Sequence, residues 1–516
     1  MSQFCPHLST LKESKHVAAA AARSAALKSD PAGAAAGLKS SYSNGFWSVG
    51  PAHGFMPVAA PMERLPERYS ALQTLIECMP VRRSNGEPGL LATPGLIHNF
   101  VDHQLPEMMS LIEAESKDDV FLFAALFRGL TFVASAYLLE PAHQHQKQSS
   151  AGDYGQARTL LPRVVAVPLV FVANHLGVHP YLDYHYAYSL GNYRKLDPAG
   201  SFEYTNLGMS CAFSGMADES GFIMLHVDIV SHSPALLESI WSFVQTPSVE
   251  ALRRNYETMI KINERRRLMW EASDWHNYND FRVFIMGIQG NNKLFGDGVV
   301  YQDCFDNVPM QYRGQSGSQD DIIPCADIFS GLLSYYPENE LTSYLMDMRA
   351  YRPPVVREFF KDLEACDHNL ETFAALGVEG LVLLLAIVNE IYTFRNGHWM
   401  FVQKYILSTT AYPVATGGTP ITSWLPNQIE AVLNYQRDIL RRIDDLGGSL
   451  DPLLVQLAGS LPGKIFVLRK QQEELTKANY SPRAVHSLNP ASTLEYRDRT
   501  AAAVCPFGHG GAAAPL

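Results

Sequence analysis

From Leu384 to Tyr405 one apolar stripe can be followed at steps of three and four residues: Leu384, Ile387, Val388, Ile391, Phe394, His398, Phe401, Val402 and Tyr405. That spacing puts these side chains on one face of a single long helix. The stripe carries one imidazole, His398, in "RNGHWMFVQKYIL", with Gly397 just before it. Glycine inside a helix costs about 1 kcal/mol relative to alanine, and close approach of something bulky and flat would offset that. A histidine on such a face is either a core residue hydrogen-bonded to a neighbour or a ligand. Neutral imidazole on a helix is a common way to hold haem iron, with apolar residues lining the macrocycle. Periodicity alone does not choose between the two.

Helical period dominates elsewhere too. In "QTPSVEALRRNYETMIKINERRRLMWEASDW" (245–275), Pro247 and Ser248 supply a start signal, and Leu252, Tyr256, Ile260 and Ile262 recur at helical steps. "NQIEAVLNYQRDILRRIDDLGG" (427–448) is a second long amphipathic helix, with its glycine pair as the stop. "VVAVPLVFVANHLGV" (164–178) is β-branched, but Pro168 weakens a strand, and it reads as a helix beginning near Pro168. The fold class is therefore all-α. Residues 1–45 are rich in Ala, Ser and Gly and read as a flexible arm, with a transit peptide as the alternative. The polar stretch at 140–156 marks a boundary between a small N-terminal domain (46–150) and a large helical domain (151–480), and 481–516 form a tail.

The 516 residues are 47% hydrophobic and 18% charged, with net charge −11 and no long basic cluster, which gives a nucleic-acid role no support. Seven widely spaced cysteines without C-x-x-C argue against a disulfide framework or structural zinc, and place the chain in a reducing, cytoplasmic compartment. The longest apolar run, 381–388, is far too short to span a bilayer. His175, His179, Asp183 and His185 could assemble a non-haem iron triad, an unspecific pattern.

Several ordered motifs resemble the indoleamine 2,3-dioxygenase family. "RNGHWMFVQKYIL" is similar to its proximal-histidine helix, "LMDMRAYRPPVVREFFKDLE" (345–364) to its D-M-R-x-Y-x-P-P segment, and "ATGGTP" (415–420) to its G-T-G-G-T loop. "FRVFIMGIQGNNKLFGDGVVY" (281–301) resembles its arginine helix with the G-W-x-G…D-G-L-V-Y continuation; "LPRVVAVP" (161–168), "GNYRKLDP" (191–198) and "MPVRR" (79–83) match in order. The resemblance covers roughly 60–440. It implies a small N-terminal helical domain over a large domain that binds haem b. His398 would be the iron ligand, Arg282 the substrate-carboxylate arginine, Thr416 a contact on a closing loop, and Phe222 a pocket aromatic.

The match departs on the distal side. In "GFIMLHVDIV" (221–230) His226 replaces the family's serine, one helical turn after Phe222. His185 stands for a tyrosine, Tyr188 for a frequent cysteine, Asn277 for a phenylalanine, and "GQSGS" (314–318) for G-G-S-A-G. These changes predict a more polar pocket, with His226 as the candidate catalytic residue. The function implied is oxygenation of an indole-type aromatic substrate by O2 on ferrous haem, which needs an electron donor. By resemblance both oxygen atoms enter and the ring opens. The alternatives are a haem monooxygenase or peroxygenase using His226 as acid/base, and a non-catalytic haem sensor. No membrane or nucleic-acid partner is expected.

Overall fold

The computed structural model describes residues 37–477, apart from 150–152, 337–339, 367, 408–413, 419–420 and 449–450. Residues 1–36 of the arm expected at 1–45, and the tail expected at 481–516, lie outside the described residues. Helices dominate, as the periodicity predicts. The strands are two or three residues long. Leu160–Leu161 pairs in parallel with Val299–Tyr301, which pairs antiparallel with Pro309–Met310, and Tyr193–Lys195 pairs with Leu207–Met209. Tyr42–Ser43 pairs with Ser48–Val49, and Tyr42 is buried, so the last residues of the expected arm belong to the core.

Helix α1 (Val120–Gln148) begins at Asp119, whose carboxylate accepts from Leu122 N at 3.0 Å. It is apolar all round because it is covered all round. It packs on α2 (Arg163–Leu176), on the wide helical turn Tyr184–Tyr188 and on Val283–Ile285. The helix runs straight through 140–148, where polar composition suggested a boundary. Glu140 there is buried and paired with Arg158 at 2.7 Å. One continuous hydrophobic core reaches from Tyr42 to Leu468. The 164–178 segment is a helix, as expected, but it starts at Arg163 rather than near Pro168. Pro168 falls in the second turn of α2, where it forgoes the bond to the Val164 carbonyl, and the helix continues past it.

Three further helices build the site. These are α3 (Ala217–Val230), α4 (Val249–Arg267) and α5 (Gly377–Phe401), the last continuing into a wide turn at Val402–Leu407. The Ser248 hydroxyl caps α4 by accepting from Ala251 N. Helix α4 packs against both α3 and α5, and Asn263 on α4 donates to the carbonyl and carboxylate of Glu390 on α5 at 3.0 and 2.9 Å. The faces of α3 and α5 are thereby presented to the same space. Helix α6 (Ile421–Asp445) covers α5 from the other side and stops at Gly447, whose φ of +70° only glycine takes easily. Helices α1 and α5, with its wide turn, are long and apolar enough to cross a membrane. In α1 the whole of the most apolar window is buried in the fold, and in α5 61% of it is.

Candidate active site

A cleft with about 1140 Å³ of empty space, open to solvent at one side, lies between α3, α4 and α5. Its walls are largely apolar: Phe222, Ile229, Met269, Ile285, Phe401 and Val402. Two imidazoles face into it, His226 from α3 and His398 from α5. No hydrogen bond engages the His398 ring among the described residues. Burial first, then the neighbouring His226 and Arg266, bring its pKa down to about 4, so the ring is neutral at pH 7 with a lone pair to offer. His226 Nδ1 lies 2.8 Å from the Phe222 carbonyl, which can only accept. Nδ1 therefore carries the proton and Nε2 is left as an acceptor. Burial also lowers this pKa.

A second cavity, of about 710 Å³, adjoins His398 on its other flank. Its arginines are paired: Arg395 with Asp327 at 2.6 Å, Arg352 with Asp321 at 2.6 Å, and Arg349 with Glu364. Asp320 lines both cavities. Burial, reinforced by Asp321, pushes its carboxyl up to about 7.

The loop Val414–Gly418 closes one end of the cleft through Ala415 and Thr416. It is held by Gly287 N donating to the Thr416 carbonyl at 2.7 Å and by Arg313 donating to the Gly417 carbonyl at 3.2 Å. Arg282 is fully buried behind this loop. Its guanidinium donates to the Tyr154 hydroxyl and to the Val414 carbonyl, both at 2.6 Å.

The sequence profile of indoleamine 2,3-dioxygenases matches residues 44–421, more than half of the chain and the whole lining of the cleft. The chain belongs to the indoleamine 2,3-dioxygenase family. It is 27% identical to indoleamine 2,3-dioxygenase 1 of Rattus norvegicus over 48% of this chain and 63% of the rat protein. Mouse indoleamine 2,3-dioxygenase 2 is 28% identical over 54% of this chain and 73% of its own length. A 6-hydroxytryptophan 2,3-dioxygenase of Fusarium equiseti is 23% identical over 69% and 82%. Membership makes the chain an oxidoreductase of the dioxygenase type, in a haem-dependent family that acts on small aromatic substrates with O2.

The residues present fit a haem of this family. They line the cleft between α3, α4 and α5. A neutral, unengaged imidazole faces it, and its walls are apolar and aromatic.

Of the residues singled out in the sequence, His398, His226, Phe222 and Thr416 come together around the cleft. Four others do not. Arg282 lies behind the 414–418 loop, bonded to Tyr154 and Val414, and is not part of the cleft wall. Asn277 turns away and donates to Asp218 at 2.9 Å, and its neighbour Tyr278 takes the place on the wall. His185 is fully buried with Nε2 2.7 Å from Asp321, in a cluster with Arg352. Tyr188 packs between Phe132 and Phe213. Of the departures behind the expected polar pocket, His226 and the Gln315–Ser316 part of "GQSGS" line the cleft, and Asn277, His185 and Tyr188 do not. The metal triad suggested by His175, His179, Asp183 and His185 does not form among the described residues; His175 stacks on Phe123 and His179 on Tyr351.

Sequence reasoning missed Arg266. A side chain at Gly397 would lie 2.5 Å from its Nη2 and closer still to Cζ and Nη1. The flat group that lies over Gly397 in this structure is thus the guanidinium of Arg266. The signal was available, because Leu252, Asn255, Met259, Ile262 and Arg266 form one buried stripe on α4.

Proposed function

We propose that this chain is a haem b dioxygenase that adds both atoms of O2 across the C2–C3 bond of an indole-bearing amino acid and opens the ring to an N-formylkynurenine-type product. The observation that carries the reading is the pair of imidazoles presented by α3 and α5 to one apolar cleft. Haem b bound on His398 would supply the O2 chemistry, with an electron donor keeping the iron ferrous.

The chain's own groups orient the substrate. With Nδ1 given to the Phe222 carbonyl, His226 Nε2 is an acceptor for an indole N–H. Phe222 and Tyr278, 5.0 Å apart between ring centroids, offer faces for a flat ring. Gln315 and Ser316 on the same wall suit a ring hydroxyl, in line with the 6-hydroxytryptophan activity named for the Fusarium relative. Arg282 reaches a substrate carboxylate by giving up the Val414 carbonyl, so substrate entry and movement of the 414–418 loop are one event. Thr416 then closes over the substrate. The monooxygenase alternative loses support, because a neutral His226 with Nε2 unprotonated has no proton to give. The free thiols among the described residues support a reducing, cytoplasmic location.

The test is aerobic turnover of the reduced, haem-loaded protein with tryptophan, its ring-hydroxylated forms and simple indoles, reading product mass and 18O count. Two labelled atoms in a ring-opened product are expected. One labelled atom would replace this reading with a monooxygenase.

A further inference from the structure

Four arginines line the two cavities flanking His398, and three of them hold carboxylates. The fourth is Arg266, near the C-terminal end of α4. It is 8% exposed and lies on the wall of the main cleft. Its one hydrogen bond is a long contact from Nε to Asn263 Oδ1, 3.4 Å. Neither terminal nitrogen has an acceptor, and no ion pair reaches it among the described residues. The nearest anion that acts on it, Glu390, is engaged by Asn263. The guanidinium sits over the turn of α5 that holds Phe394, Gly397 and His398, 5.8 Å from the Phe394 ring centroid, in space that exists because residue 397 has no side chain.

A buried guanidinium is costly unless something pairs with it. Its planar fork matches a carboxylate, which it binds through two parallel hydrogen bonds. Arg282, the arginine matched to the family's carboxylate clamp, is by contrast bonded to a hydroxyl and a backbone carbonyl behind the loop. We propose that Arg266 is a carboxylate-binding site inside the cleft, filled when the cleft is occupied. This rests on the reading of the cleft as the haem and substrate site. Two carboxylates enter such a cleft, a propionate of the porphyrin and the carboxylate of an amino-acid substrate, and the chemistry of recognition is the same for both.

The experiment compares wild type, Arg266→Met and Arg266→Lys. In one arm the haem-free protein is titrated with haem b and with its dimethyl ester, following the Soret band. In the other, the haem-loaded protein is titrated with L-tryptophan and with tryptamine, following the ferric spectrum. Arg266→Met is expected to weaken the carboxylate-bearing member of one pair by about tenfold to a hundredfold, as for loss of a charge-assisted hydrogen bond. The ester or amine partner should bind as before. Arg266→Lys, which keeps the charge and guards against misfolding, should recover part of the loss. A loss confined to haem b assigns the porphyrin, and a loss confined to tryptophan assigns the substrate. Equal loss for both members of a pair, or no loss in either, overturns the proposal. A wild-type protein with no Soret band would instead refute the functional reading. The Arg266 site is then read in the haem-free protein, from indole-3-propionate against indole binding in wild type and Arg266→Met.

Discussion

Replacing Gly397 by alanine sets two opposed effects against each other at one methyl group. The site is in the interior of α5, where alanine is favoured over glycine by about 0.8–1.0 kcal/mol. The new Cβ would overlap the Arg266 guanidinium, which is buried and held against Phe394. Forcing a group into filled space costs about 1–3 kcal/mol. Gly397→Ala alone should therefore change stability by between about zero and 2 kcal/mol, in the destabilising direction. With Arg266→Ala already in place the overlap is gone and the helix preference remains. The same glycine-to-alanine change should then stabilise by about 1 kcal/mol. The sign reversal is the prediction, and it corresponds to a coupling of about 1–3 kcal/mol, within the range for residues in contact. Urea unfolding of the four haem-free proteins, monitored by far-UV dichroism, measures it. Additivity within about 0.5 kcal/mol would show that Arg266 does not occupy the space beside Gly397.

Four other outcomes are expected. His398→Ala should lose the haem spectrum, and a Soret band and ferrous–CO spectrum equal to wild type would remove His398 as the ligand. His226→Ser, which restores the family's residue, should keep haem near normal and weaken tryptophan by about three- to tenfold, the value of one hydrogen bond near 1 kcal/mol; an N1-methylated tryptophan should feel no change, and equal effects on both would make His226 a packing residue. Arg282→Leu should speed hydrogen exchange across Val414–Gly418, because the Val414 carbonyl loses its donor at 2.6 Å, and unchanged exchange would uncouple the arginine from the loop. His143 is buried against Phe284 and its pKa is held down to about 3 by burial and then Lys147. The unfolded chain takes up the proton near pH 6.5 and the native state does not, so stability falls as pH drops below about 6.5. That loss is about 2 kcal/mol by pH 5, from 1.5 units at 1.36 kcal/mol each, and His143→Phe should abolish this share of it.

Helix α1, apolar on every side over most of its length, offers no stripe; the helices at 245–275, 384–405 and 427–448 were legible because each carries one longer than any local exception. Ser248, the Gly447 stop and the His398 face all follow from it. The start of α2 was misplaced because proline was taken as a boundary, whereas the helix runs through Pro168 at the loss of one ladder bond. Asn277 was placed on the cleft and Tyr278 stands there instead. The helix after it, Asn279–Arg282, is a single turn, too short for periodicity to fix its phase. His185 found its partner in Asp321, far along the chain, which no local pattern reveals. Arg266 was hidden in a run of three arginines at a helix end, of which Arg267 is exposed and Arg265 pairs with the buried Asp228.

Helix α1 also bears on how the chain is made. Its cover includes the Val283–Ile285 turn, where the Ser135 hydroxyl donates to the Phe284 carbonyl at 2.5 Å. That turn leaves the ribosome roughly 140 residues after α1 is finished. At roughly 5–20 residues per second, the face of α1 that Val283–Ile285 covers stays open on the nascent chain for about seven to thirty seconds, while α2 and the 184–188 turn already cover the rest. An amino-terminal fragment ending before residue 283 leaves that one face without its cover. Chains stalled between 190 and 280 should therefore expose that one face of α1 and aggregate more readily than the full chain.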